Sequence, residues 1–125
     1  MSRRILVTGA TGFLGANLVR RLVEEDNEVS ALIYNGTSHP FLEGLNINRS
    51  GGDILDRDSL RRAMEGCSRV YHTAGFVSYF ERDFYRMIRV HVEGTKNVME
   101  TALELGVERV VYTSSCAAIG LCSRD

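Results

Sequence analysis

Ile5-Leu6-Val7-Thr8-Gly9-Ala10-Thr11-Gly12-Phe13-Leu14-Gly15 decides the fold. An apolar run of strand-forming residues enters a turn in which Gly9, Gly12 and Gly15 recur at every third position, and a helical pattern begins before the last of them. A pyrophosphate needs a tight turn after a strand, backbone it can approach without side chains in the way, and a helix start whose free N–H groups face the anion. The three glycines meet those needs in turn. Their spacing departs from G-x-G-x-x-G, and a tight strand-to-helix turn with no ligand is the plain alternative, so other segments have to carry the reading.

Outward from this turn, short strand-like runs alternate with longer helical patterns, the sequence form of a parallel sheet covered by helices on both faces. The first strand spans residues 3–7. Residues 13–25 form a helix with Leu14, Leu18 and Leu22 on one face, Val19 and Val23 beside them, and Arg20, Arg21, Glu24 and Glu25 facing water. A second strand covers residues 28–33, and Tyr34-Asn35-Gly36 turns out of it into a loop around Pro40. Residues 45–49 read as a weak third strand. Asp56 is the N-cap of a helix running to about residue 65, with Leu60 and Met64 as its apolar pair and Gly66 as its stop. A fourth strand at residues 69–72, one long helix at 81–105 ending at Gly106, and a fifth strand at 109–113 complete the pattern. The expected fold is α/β: a Rossmann-type doubly wound parallel sheet of about five strands, order 3-2-1-4-5, in one domain over residues 1–125.

Fifteen Lys and Arg against sixteen Asp and Glu give a net charge of −1, with both signs spread along the chain. No basic footprint for nucleic acid or an anionic membrane results. The apolar runs are far too short to span a bilayer, and the Ser2-Arg3-Arg4 start has no secretory apolar region, so a cytoplasmic protein is expected. Cys67, Cys116 and Cys122 lack a C-x-x-C pair, and His39, His72 and His91 do not approach ligand spacing. Buried or incidental thiols and no metal are the expectation.

In an open α/β sheet ligands collect at the carboxyl ends of the strands. Four such ends carry unusual residues: the glycine turn, Gly52-Asp53-Ile54, His72-Thr73-Ala74-Gly75, and Thr113-Ser114-Ser115. Each has a plain counterpart: Asp53 as a turn cap before the Asp56 helix, Gly75 as a loop glycine, Ser114-Ser115 as an ordinary strand end. Their coincidence at one edge of the sheet is the stronger signal.

Together T-G-A-T-G-F-L-G, G-D-I-L-D, H-T-A-G and V-E-G-T-K-N-V-M-E-T-A-L-E-L-G-V-E-R-V-V-Y-T-S-S resemble the extended short-chain dehydrogenase/reductases, the NAD-dependent epimerase/dehydratase branch. The likeness reaches to about Gly120 and leans toward the dihydroflavonol-reductase-like and hopanoid-associated sugar epimerase subgroups. It implies NAD or NADP as cofactor, held by Gly9, Thr11, Gly12, Phe13, Leu14 and Gly15 at the phosphates. By the same likeness Tyr34 stands at the ribose, Asp53 and Ile54 at the adenine, and Thr73, Ala74 and Gly75 beneath the cofactor. Ser115 would be the catalytic hydroxyl that binds the substrate oxygen, in a hydride transfer on a sugar-nucleotide or a ketone or alcohol.

Three departures stand beside the resemblance. Tyr34 occupies the place where an acid would hold the ribose of NAD, so coenzyme choice stays open. His91 stands in V-H-V-E-G-T where the family carries Asn, either as a polar partner or as a helix-face residue with no role. No Tyr is followed four positions on by Lys, the family's acid/base pair. The chain therefore reads as the amino-terminal portion of such an enzyme, without the last strands or the substrate lobe. A non-catalytic dinucleotide-binding or sensor module and an inactive truncated product are the alternatives. The fifth strand at an open edge and the long helix point to self-association.

Overall fold

A computed structural model describes residues 4–34 and 39–123. Arg3, placed in the first strand, and the Asn35-Gly36 turn lie outside the described residues.

Five parallel strands form the sheet: β1 (Arg4–Thr8), β2 (Val29–Ile33), β3 (Asn48–Gly51), β4 (Cys67–His72) and β5 (Arg109–Tyr112). Their order is β3-β2-β1-β4-β5, as the alternating pattern requires. β1 is central, with Leu6 paired to Ser30 of β2 and to Val70 of β4. Its residues alternate between two cores, as side chains on a strand must. Ile5 and Val7 join Val19 and Leu22 of helix α1 (Phe13–Glu24) on one face. Leu6 joins Leu60 and Met64 of α2 (Arg57–Met64), and Val98 and Ala102 of α4 (Thr95–Glu104), on the other.

The helix ends follow their capping chemistry. Asp56 accepts from the N–H groups of Asp58 and Ser59, and Gly66 takes the left-handed turn after α2 with φ +77°. Arg57 and Arg61 of α2 pair with Glu100 and Glu104 of α4 at 2.6 to 2.9 Å. These pairs are half exposed and orient the two helices more than they stabilise them.

Three elements differ from the sequence reading. The third strand lies at Asn48–Gly51, not at residues 45–49. Leu45 and Ile47 owe their apolar character to packing against the α1-side core before the strand begins, while the strand itself is a polar edge. Leu14, assigned to the buried face of α1, is 52% exposed, because Gly15 and Ala16 take the inward positions of that turn. The long helix is not uniform: a 3₁₀ turn (Glu81–Asp83), α3 (Phe84–Ile88), a π segment (Arg89–Gly94) and α4 follow one another. Gly94 lies directly against Ile54, and a Cβ there would overlap the Ile54 side chain. The sequence reading of one long helix over 81–105 gives no sign of this local widening.

Candidate functional site: a cavity at the strand ends

A cavity of about 520 Å³ opens at the carboxyl ends of the strands. Gly9, Thr11, Gly12, Tyr34, Asp53, Ile54, Thr73, Ala74 and Gly75 line it, so nine of the sequence-assigned residues converge on one space. Phe13, Leu14, Gly15 and Ser115 are not among its lining residues.

The glycine turn is built by close approach. Gly9 has φ +67°, and a Cβ on it would stand 2.6 Å from the amide nitrogen of Ala74. A Cβ on Gly15 would overlap the carbonyl of Gly9. Gly12 is different: its backbone is extended, and a Cβ there would meet only the Gly9 oxygen, at 3.4 Å. Gly9 and Gly15 are thus required by packing, whereas Gly12 keeps space open at the cavity. The first α1 hydrogen bond runs from the Ala16 N–H to the Gly12 carbonyl, so the helix offers no acceptor to the N–H groups of Phe13, Leu14 and Gly15. Phe13, Leu14 and Gly15 belong to this site through their backbone, and the 89% exposure of the Phe13 side chain is consistent with that. A pyrophosphate fits an open flank at Gly12 beside a helix N-terminus.

The β3 end is organised around Asp53. Its carboxylate accepts from the Leu55 N–H at 2.9 Å, and its own N–H donates to Ser59 Oγ at 3.0 Å. The turn-cap role and a cavity-lining role therefore coexist, the second carboxylate oxygen remaining for a ligand. Nothing in the sequence singled out Ser59, which hydrogen-bonds the loop from inside α2.

A buried polar chain locks β1 to β4. The Thr73 hydroxyl donates to the Thr8 carbonyl at 2.6 Å, and the Ala74 N–H donates to Thr8 Oγ1 at 3.2 Å. Thr8 Oγ1 also lies 2.6 Å from His72 Nδ1, and His72 Nε2 lies 3.0 Å from Thr95 Oγ1, so the neutral ring donates to one of the two threonine hydroxyls and accepts from the other. His72 is fully buried and stacks on Tyr112 with ring centroids 5.4 Å apart. Burial, aided by nearby His91, pushes its pKa down to about 4, so the ring is neutral at neutral pH. Burial likewise pushes the Cys67 thiol up to about 11, while Cys116 and Cys122 are exposed free thiols.

Helical residues complete the wall. Tyr85, Arg86, Arg89 and Val90 line the cavity together with Phe76, over whose ring the Arg86 guanidinium lies at 4.3 Å. Their spacing marks a common helix face, but no sequence signal says that this face meets the cavity. His91 Nε2 lies 2.8 Å from the Phe76 carbonyl, so this residue has a polar partner. Ser115 sits apart, beyond β5, exposed, with its Oγ accepting from the Ala117 N–H at 3.2 Å as the cap of a 3₁₀ turn (Cys116–Ile119). Among the described residues no helix is long and apolar enough to cross a membrane.

Comparison with known proteins agrees with this fold. The chain is 48% identical over 116 residues to sterol demethylase protein B of Methylococcus capsulatus, covering 93% of this chain and 35% of that protein. It is 34% identical over 122 residues to a 3-beta-hydroxysteroid dehydrogenase of Mycolicibacterium neoaurum, covering 93% and 33%. A short-chain dehydrogenase/reductase superfamily protein of Agrobacterium tumefaciens, crystallised with bound NAD, superposes with a TM-score of 0.78 at 33% identity, covering 90% of this chain and 32% of that one. The chain thus spans about a third of the length of these relatives. The family is NAD(P)-dependent. With the model of the 3-beta hydroxysteroid dehydrogenase/isomerase family matching residues 6–125, the chain belongs to that family of extended short-chain dehydrogenase/reductases.

Proposed function

We propose that this chain binds NAD or NADP across the cavity, as the cofactor-binding portion of an oxidoreductase acting on a secondary alcohol or ketone. The observation that carries the reading is the open flank of Gly12 at the start of α1, facing a cavity whose other walls include the ends of β2, β3 and β4. The N–H groups of Phe13 and Leu14 would bind the pyrophosphate, the Asp53 carboxylate would accept from the adenine amino group, and Thr73, Ala74 and Gly75 would form the floor. Tyr34 brings neither a carboxylate to select the ribose of NAD nor a cation for the extra phosphate of NADP, so both coenzymes are expected to bind.

When bound, the nicotinamide supplies or accepts the hydride. Ser115 is the candidate catalytic residue: its Oγ accepts from the Ala117 N–H, which leaves its hydrogen to donate to a substrate oxygen. The sterol and steroid names of the relatives favour a ring carbinol or ketone over a sugar-nucleotide as the substrate of the whole protein. Titration calorimetry with NAD⁺, NADH, NADP⁺ and NADPH tests the reading. Binding with a dissociation constant at or below the millimolar range is expected, and no heat from any of the four at millimolar concentration refutes it.

A further inference from the structure

Besides the glycine turn and the end of β2, the cavity is walled by two loops, 52–55 and 73–76, and by the helical segment that carries Tyr85, Arg86, Arg89 and Val90. That segment touches both loops with polar side chains. Asn97 Nδ2 donates to the Ile54 carbonyl at 3.0 Å, and His91 Nε2 lies against the Phe76 backbone, 2.8 Å from its carbonyl oxygen and 3.3 Å from its amide nitrogen, where it donates to the one or accepts from the other according to its tautomer. The two side chains leave opposite flanks of one helical ridge. Gly94, Val98 and Ala102 form the buried ridge, with Asn97 on the flank toward Ile54 and His91, with Thr95, on the flank toward β4.

Steric contacts fix the same two distances. At Gly94 only a hydrogen fits against Ile54, and at Gly75 a Cβ would stand 3.0 Å from His91 Cε1. Each loop is therefore both drawn in by a hydrogen bond between its backbone and a helix side chain and stopped by van der Waals contact at a glycine. The π segment joins the two contacts: its wider turn carries His91 past the regular helical phase while Gly94 keeps the ridge against Ile54.

We propose that Asn97 and His91 are positioning residues that set the width of the cavity by holding its two loops at a fixed separation, and so tune affinity for the dinucleotide. The proposal rests on the reading of the cavity as a dinucleotide site. Loss of one such bond should weaken binding about five- to tenfold.

The test uses the whole 125-residue chain with Asn97→Asp and Asn97→Ala, which remove the donor, His91→Phe, which keeps a ring without hydrogen-bonding nitrogens, and His91→Gln, which restores both a donor and an acceptor. Amide hydrogen exchange on the ligand-free proteins is expected to rise at Leu55 in the Asn97 variants and at Phe76 in His91→Phe, each without the other. NADH affinity, followed by its fluorescence, is expected to fall in the Asn97 variants and His91→Phe and to recover in His91→Gln. Unchanged exchange at both loops overturns the proposal irrespective of ligand. Loop-specific exchange with unchanged NADH affinity overturns the tuning while leaving the cavity a dinucleotide site. Absence of NADH binding by the unsubstituted chain overturns the tuning together with the dinucleotide reading.

Discussion

Gly12 and Gly15 face the same carbonyl oxygen, that of Gly9, at different closeness: a Cβ would be 3.4 Å away at Gly12 and would overlap it at Gly15. Two glycines of one motif thus serve different ends. One leaves room for a ligand and the other lets the helix sit on the turn.

Gly15→Ala should therefore cost about 3 kcal/mol or more of stability, since the displaced atoms are backbone. Gly12→Val should fold with a melting temperature close to that of the unsubstituted chain and lose dinucleotide binding. Paired thermal melts and calorimetric titrations separate the two. The assignment fails if Gly12→Val binds NADH normally, or if Gly15→Ala melts unchanged.

His72 sets a pH dependence with a definite sign. Its folded pKa, about 4, lies below the ordinary value of 6.5, so between those values the unfolded chain takes up a proton that the folded chain does not. Its contribution is complete above pH 6.5, declines as the pH falls toward 4, and is flat below. The loss should approach about 3 kcal/mol. Urea denaturation at pH 7, 5.5 and 4.5 should show that slope, and His72→Gln, though weaker at pH 7, should lack this portion of it. Equal slopes in both would remove His72 as the cause.

Thr101 is 1% exposed in α4, and among the described residues its hydroxyl oxygen has no hydrogen-bond partner. An isosteric apolar side chain removes that uncompensated group, so Thr101→Val should stabilise the fold by about 1 kcal/mol. A higher urea midpoint with an unchanged m-value is the expected result. A lower midpoint would mean that the hydroxyl is satisfied in solution.

β5 closes one edge of the sheet, with Val111 and Tyr112 more than 40% exposed. An unpaired edge of this character recruits other chains. Light scattering across a concentration series should show association that Val111→Lys suppresses. A monodisperse monomer throughout would refute it.

The strand order, the Asp56 cap and the Leu60 and Met64 pair were legible in the sequence from local chemistry, a capping side chain and helical and strand periodicity, and the family resemblance, more than any local pattern, pointed to the residues that line the cavity. What escaped is tertiary. β3 is a polar edge strand whose hydrophobic signal sits in the residues leading up to it, at Leu45 and Ile47. The π segment is tied to the contact of Gly94 with Ile54, forty residues away in sequence, and no windowed periodicity registers such a contact. The pairing of His91 with the Phe76 carbonyl is hidden for the same reason.

The hydrogen bond between Thr8 and His72 spans 64 residues of chain, and this has a kinetic meaning. β1, α1 and β2 are neighbours in sequence and can pair early, at little cost in loop closure. The cavity cannot exist at that stage, since its floor arrives only when β4 closes onto β1. Any ligand of this cavity therefore binds only chains that have completed the longest-range pairing at the centre of the sheet. Its presence during refolding would leave early collapse untouched and draw the population toward the fully paired state.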